Sequence, residues 1–296
     1  MKINIKYVKC AYMLERKPVE WVLPAEISDG RLDSLLELFA FLQQATEGEK
    51  AGRSVRLNWT KTQKISPAGA AILACLFDVA VEQGKYPESV FIKKRLKEIP
   101  VVTNLAAVRD YRELPKPMIH DHTRIDSLLG SGETKLNLDF VERVETRFGP
   151  ILTEDQMFGV RLILNELIQN TVDHSTSERY YLYAGRGKED EFHFGVLDMG
   201  VSIPAKLETK YACASDVEYL DLALQTGIST RRQRPGGLGL SHTFDFLKEQ
   251  QGRLTILSRG AQVRRYFKRR HSVADELKYP LRGTWCFARF PIQEGK

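Results

Sequence analysis

Apolar and polar positions recur along this chain with two periods, and the switches between them mark out strands and helices. Residues 3–8 read as a strand, 32–44 as an amphipathic helix, 55–59 as a strand and 68–83 as an apolar helix, so the first part of the chain predicts an α/β unit. Ser66-Pro67 opens the second of these helices and Gly84 closes it. Serine caps free backbone amides there, and proline at the first helical position forfeits no hydrogen bond. From residue 114 to 132 the periodicity stops and Pro115, Pro117, His120, His122, Gly130 and Gly132 crowd together, which reads as a linker. The division that follows is 1–114, a linker over 115–135, and a second domain over 136–296.

Beyond the linker the pattern predicts a helix near 138–148 and a long helix over about 154–174. Strand-like runs follow at 179–184 and 191–197, then a loop rich in glycine and arginine, a helix at 240–250, and strands at 253–258 and 284–290. Helices and strands in this order suit a two-layer α/β sandwich. The 296 residues contain no internal repeat and are 43% hydrophobic, enough for an ordinary core.

Composition narrows the setting. Residues 1–17 mix charge with isolated apolar positions, and no later stretch is long enough to span a bilayer, so a soluble, cytoplasmic protein is expected. Cys10, Cys75, Cys213 and Cys286 lie far apart without a Cys-x-x-Cys pair, which points to reduced cysteines and away from zinc or a disulfide framework. The formal net charge of +6 leaves an acidic partner open. The densest basic run holds Arg264, Arg265, Lys268, Arg269 and Arg270 around Tyr266 and Phe267. It reads either as a solvated hairpin with its aromatics facing inward or as a nucleic-acid contact.

Three clusters carry candidate chemistry. On the long helix Glu166, Asn170 and His174 recur every four residues and share a stripe beside Val160, Leu164, Leu167 and Thr171. The Asn170 side-chain oxygen is a suitable hard ligand for magnesium, and Glu166 one turn earlier can orient a water or hydroxyl. Next, Asp198-Met199-Gly200 ends a strand. A carboxylate there can accept a hydrogen bond from an exocyclic amine such as that of adenine, with Gly200 permitting close backbone approach. Last, Pro235-Gly236-Gly237-Leu238-Gly239-Leu240 opens the helix at 240–250 and frees amides at its positive end, where phosphate binds. Ser229, Thr230, Arg231, Arg232 and Arg234 precede it and can close over a triphosphate as a lid. Gly130-Ser131-Gly132-Glu133-Thr134-Lys135 echoes a Walker loop but lacks its Gly-Lys-Ser/Thr ending, and falls to the linker.

Taken in order with Gly283-Thr284, these clusters resemble the sequence boxes of the GHKL superfamily, the ATP-binding fold of gyrase-like topoisomerases, histidine kinases and anti-sigma-factor kinases. The likeness covers about residues 152–291. It implies a Bergerat-type two-layer sandwich with ATP and Mg as cofactors. Glu166 would then activate the attacking group, Asn170 would bind Mg, and Asp198 with Gly200 would recognise adenine. Ser202 stands where that box has its second glycine; Gly237, Gly239 and Leu240 match the phosphate-gripping box, and Thr284 the threonine that supports adenine through water. Residues 55–59 followed by Ile65-Ser66-Pro67-Ala68-Gly69 and an apolar helix are similar to STAS domains, in which a serine or threonine at this helix start can be phosphorylated. Ser66 is the nearest counterpart, but its surroundings read as a helix cap.

Three functions are compatible with this reading. The first is an ATP-driven regulatory switch or ATPase resetting through Glu166. The second is a protein kinase resembling anti-sigma-factor kinases, with Glu166 deprotonating a serine on a partner. The third is a nucleic-acid-associated scaffold that uses ATP to set its shape and places residues 264–270 on phosphates. A protein partner or a homodimer is expected in the first two.

Overall fold

A computed structural model describes residues 19–30, 32–43, 55–58, 61–62, 64–82, 88–90, 126–132, 137–177, 179–187, 190–228 and 239–293. The architecture among them is α/β. Three short parallel strands, β1 (Val19–Val22), β3 (Val55–Asn58) and β5 (Glu88–Val90), pair in the order β1-β3-β5; β2 (Glu26–Ile27) pairs in parallel with β4 (Lys64–Ile65). The helices α1 (Asp33–Gln43) and α2 (Pro67–Glu82) lie close to their expected bounds. Ser66 does cap α2: its Oγ accepts the Gly69 N–H at 3.0 Å. The strand expected at 3–8 lies outside the described residues.

The second assembly is one antiparallel sheet in the order β6-β7-β8-β10-β9, made of β6 (Asp126–Gly132), β7 (Tyr180–Arg186), β8 (Glu191–Asp198), β9 (Arg253–Tyr266) and β10 (His271–Pro291). Strand β6 corrects the linker reading for residues 126–132. Its glycines admit aromatic rings: a Cβ on Gly130 would strike the Phe140 ring, and one on Gly132 the Tyr180 ring. The helices are α3 (Leu138–Phe148), α4 (Glu154–Asn170), α5 (Ile203–Leu207), α6 (Asp216–Ala223) and α7 (Gly239–Glu249). A Thr153–Gln156 capping box starts α4, and a π turn over Thr171–Ser175 ends it, so the expected helix to residue 174 changes its winding after Asn170.

Alternation along the strands separates two apolar layers. On one face Tyr180, Leu182, Phe192, Phe194, Val196, Ile256, Cys286 and Phe290 pack with α3, α4 and α7. On the other, Tyr181, Tyr183, Leu197, Leu257, Trp285 and Phe287 pack with Leu35, Phe39, Ile72 and Leu76 of α1 and α2. Both faces of the sheet are therefore covered. The expected two-layer sandwich carries a third layer, because α1 and α2 bury their apolar stripes on this sheet. Asp29 strengthens the join, forming a buried ion pair with Arg253 of β9. Among the described residues no helix is long and apolar enough to cross a membrane.

Candidate nucleotide site

On the α4 face, where β8 and β10 reach the π turn, the sheet leaves a cavity of about 140 Å³. Val196, Ile256 and Cys286 form its apolar floor, α4 and the π turn supply Leu167, Asn170, Thr171, His174 and Ser175, and α5 and α6 close the opposite side with Ile203, Lys206, Leu207 and Ala223. Val201, Ser202, Ile228, Asp198, Leu240 and Thr284 complete it. Asn170, Asp198, Leu240 and Thr284, singled out in four separate segments of sequence, thus line one space.

Asp198 is 4% exposed and sits at the last position of β8, opposite Thr284 in β10. Burial pushes its carboxyl up to about 7, against the lowering effect of hydrogen bonds from the Gly200 backbone, the Ser175 side chain and the Thr284 backbone. The Gly200 N–H bond measures 2.9 Å. Near neutral pH this group stands between an acceptor-only carboxylate and an acid with one O–H to donate. Glycine is required at two places beside it. A Cβ on Gly200 would collide with the Ser175 carbonyl, and Gly283, at φ 87°, passes against the Asp198 backbone where a Cβ would strike its carbonyl. Gly200 therefore admits the π turn of the preceding helix, where the sequence reading had it approach a ligand.

A hydroxyl chain supports the same end. Ser258 Oγ accepts the Ile203 N–H at 2.9 Å and donates to the Gly283 carbonyl at 2.9 Å, while the Thr284 hydroxyl lies 2.8 Å from it. With the Ser258 proton used on the carbonyl, the Thr284 hydroxyl donates to Ser258 and keeps its own oxygen as an acceptor. Ser202, in the place of the family's second glycine, has φ −71° and caps α5 by accepting the Ala205 N–H at 3.2 Å. No positive φ is needed at that position.

Glu166 is half-buried on α4 one turn before Asn170 and is not part of the cavity lining. Gly239 is the first residue of α7. Thr230, Arg231 and Gly237 lie outside the described residues, as does the rest of the predicted lid over 229–238. Among the described residues no group of three His, Cys, Asp or Glu side chains could hold a metal ion by itself. Magnesium on Asn170 would need the oxygens of a bound phosphate and water for its remaining positions, the usual arrangement for that ion.

Ser175, Lys206 and Ser258 escaped the sequence reading. Ser202-Ile203-Pro204, a capping serine and a proline at a helix start, was the available signal for α5 and hence for Lys206. Ser215-Asp216-Val217-Glu218, a capping-box spacing, announced α6 in the same way. The basic run lies on the β9–β10 hairpin: Phe267 packs edge-on to Phe244 at 4.9 Å, Tyr266 stacks on His271 with Arg253 over its ring, and Arg265 pairs with Asp221. Lys268, Arg269 and Arg270 are exposed at its tip. Cys75, Cys213 and Cys286 are free thiols, and Cys10 lies outside the described residues. A scan against protein-family models finds no match to this chain, and a search of curated proteins returns none.

Proposed function

We propose that the chain binds Mg-ATP in this cavity and acts as an ATP-dependent regulatory switch or ATPase of the GHKL type, a Bergerat-type nucleotide fold joined to a STAS-like amino-terminal unit. The observation that carries the reading is the convergence of Asn170, Asp198, Leu240 and Thr284 on one cavity with a buried carboxyl at its inner end. An adenine ring suits such a space: apolar floor for its faces, Asp198 for its exocyclic amine, Thr284 for a bridging water. The ribose and phosphates then run toward Asn170 and the start of α7, whose positive dipole end favours anions. Magnesium supplies charge neutralisation on the phosphates when bound, and Asn170 is the residue of this chain that would hold it. Glu166, one turn before Asn170 on α4, would orient an attacking water at the phosphate end of the site.

Calorimetric titration of the purified chain with Mg-ATP tests this, alongside Asn170→Ala and Asp198→Ala. Saturable binding to the unchanged protein that both variants lose is the expected result. Binding that survives Asp198→Ala undiminished, or no binding to the unchanged protein, would overturn the reading. Phosphate release from the same samples then separates turnover from binding alone, and slow release abolished by Glu166→Ala identifies an ATPase.

A further inference from the structure

Three consecutive residues of β9 fasten the α5–α6 side of the cavity to the sheet. Ser258 Oγ receives the Ile203 N–H at the start of α5 at 2.9 Å. Arg259 donates through Nε to both carboxylate oxygens of Asp216 at 2.9 Å, through Nη2 to Asp216 again, and through Nη1 to Glu208 Oε2 at 2.9 Å. The Gly260 N–H donates to Asp216 Oδ2 at 2.9 Å. These bonds hold the first residue of α5, the residue just after α5, and the first residue of α6.

Beyond these bonds, Arg265 of β9 pairs with Asp221 of α6, Ile203 and Val217 pack against the core half-buried, and few side chains of the two helices are fully buried. Only Pro204 and Leu207 of α5, and Tyr219 and Leu220 of α6, are buried. Arg259 itself is held at φ 53°, a left-handed conformation unfavourable to any residue with a Cβ, and the register of β10 shifts on either side of its partner Leu281. The Arg259 side chain retains 36% exposure and that of Glu208 45%, so the clasp lies at the surface, where it can open without disturbing either apolar layer. The Arg259 guanidinium keeps the Asp216 carboxyl below its ordinary range, so the pair is ionised at neutral pH.

We propose that Arg259 is a positioning residue for the nucleotide cavity, clasping Asp216 and Glu208 so that α5 and α6 hold Ile203, Lys206, Leu207 and Ala223 against the base end of the bound nucleotide. The role in binding rests on the ATP reading; the clasp itself does not. Its grip is on the base end, so its loss weakens adenosine and ATP by the same factor, unlike the loss of Asn170, which spares adenosine.

Hydrogen exchange of the ligand-free protein, followed by titration with adenosine and Mg-ATP, tests the assignment in Arg259→Ala, Arg259→Lys, Asp216→Asn and Glu208→Gln. In Arg259→Ala, amides of 203–223 exchange on the order of tenfold faster while those of α4 keep their protection. Affinity for both ligands falls by a common factor, also on the order of tenfold. Lysine recovers part of this, because one ammonium cannot serve two carboxylates with the fork of a guanidinium. On an Asp216→Asn background Arg259→Ala adds a smaller loss than on the unchanged protein, since mainly the Glu208 bond is left to lose. Unchanged exchange over 203–223 in Arg259→Ala and Glu208→Gln would overturn the clasp. Should Arg259→Ala not fold, Asp216→Asn and Glu208→Gln decide by the same criterion. An unchanged protein that binds neither ligand removes the ATP reading, and the exchange data still decide the clasp.

Discussion

Asp198 is asked to do two opposed things. Its carboxyl must be ionised to accept fully from an exocyclic amine, and burial pushes its pKa up to about 7 because ionisation there is unfavourable. Affinity for adenine nucleotides is therefore expected to rise as pH increases from about 6 to about 8 and then to level off, which titrations across that range would show. Stability runs the other way. The folded-state pKa lies above the ordinary carboxylate value of 3.8, so the buried acid contributes stability that is fully present below about 4 and is lost as pH rises through about 7, an upper limit of ~4 kcal/mol. Asp198→Asn removes this titration. At pH 8 the variant is expected to melt several degrees above the unchanged protein while failing to bind ATP, and near pH 4 the difference in melting should vanish. A variant that is less stable at pH 8 would mean that the carboxylate's hydrogen bonds outweigh its desolvation. The same carboxylate faces the 6-oxo group of guanine with no donor to offer, so GTP is expected to bind at least about a hundredfold more weakly than ATP in parallel titrations at pH 8.

Among elements, α2 offers the cleanest test because its cap is a single bond. Ser66→Ala removes the acceptor of the Gly69 N–H and is expected to cost about 1 kcal/mol in urea unfolding, with nucleotide affinity unchanged. A shift in affinity without a shift in stability would instead mark Ser66 as a regulatory position. The same scale shows why the sequence was readable in some places and opaque in others. Helices α3 and α4 carry their own punctuation, with Asn137 capping one and Thr153 and Gln156 boxing the other, so period and boundary agree. Strand β6 was hidden because Gly130 and Gly132 read as loop residues, whereas their lack of a side chain answers to Phe140 and Tyr180, ring contacts made across the fold. Helices α5 and α6 are 5 and 8 residues long, too short for a helical period to show, and their capping serines were the only local trace. Strand β10 was seen only over 284–290, because its earlier residues lie along an exposed half of the hairpin and lack alternation. Of the site, Asn170, Asp198 and Thr284 were legible as residue types in motifs. Ser258, Lys206 and the Arg259 clasp were not, because their significance comes from strand pairing and side-chain contacts that no local pattern encodes.

For the whole molecule, the decisive feature is that the sheet bearing the cavity is covered on both faces around the paired stretch of β8 and β10. Phe39 of α1 meets Trp285 of β10 edge-on at 4.8 Å, and Ile72 and Leu76 of α2 share the layer formed by Tyr181, Tyr183 and Leu197. Leu197 and Trp285 of this layer adjoin Asp198 and Thr284 along β8 and β10, so a shift of α1 and α2 on one face has a short path to the cavity on the other. The ion pair of Asp29 with Arg253 adds a polar anchor. Burial alone would raise the Asp29 carboxyl, but Arg253, with His193 and Arg289, outweighs it and holds the group below its usual range. The stability this pair contributes is present at neutral pH and is lost as pH falls below about 4. Removing Arg253 takes away the one guanidinium that is hydrogen-bonded to the buried Asp29 carboxylate and leaves it the weaker influence of His193 and Arg289, so Arg253→Ala is expected to cost about 3 kcal/mol in urea unfolding at pH 7. A chain cut to residues 126–296 tests the larger dependence. Stripped of α1 and α2 it exposes Tyr181, Tyr183, Leu197, Leu257, Trp285 and Phe287 together, an apolar surface of the kind that drives association. It is expected to elute as oligomers and to bind a hydrophobic dye that the full chain does not. A monomeric fragment with native melting and unchanged ATP affinity would show instead that the amino-terminal helices merely rest on a self-sufficient fold.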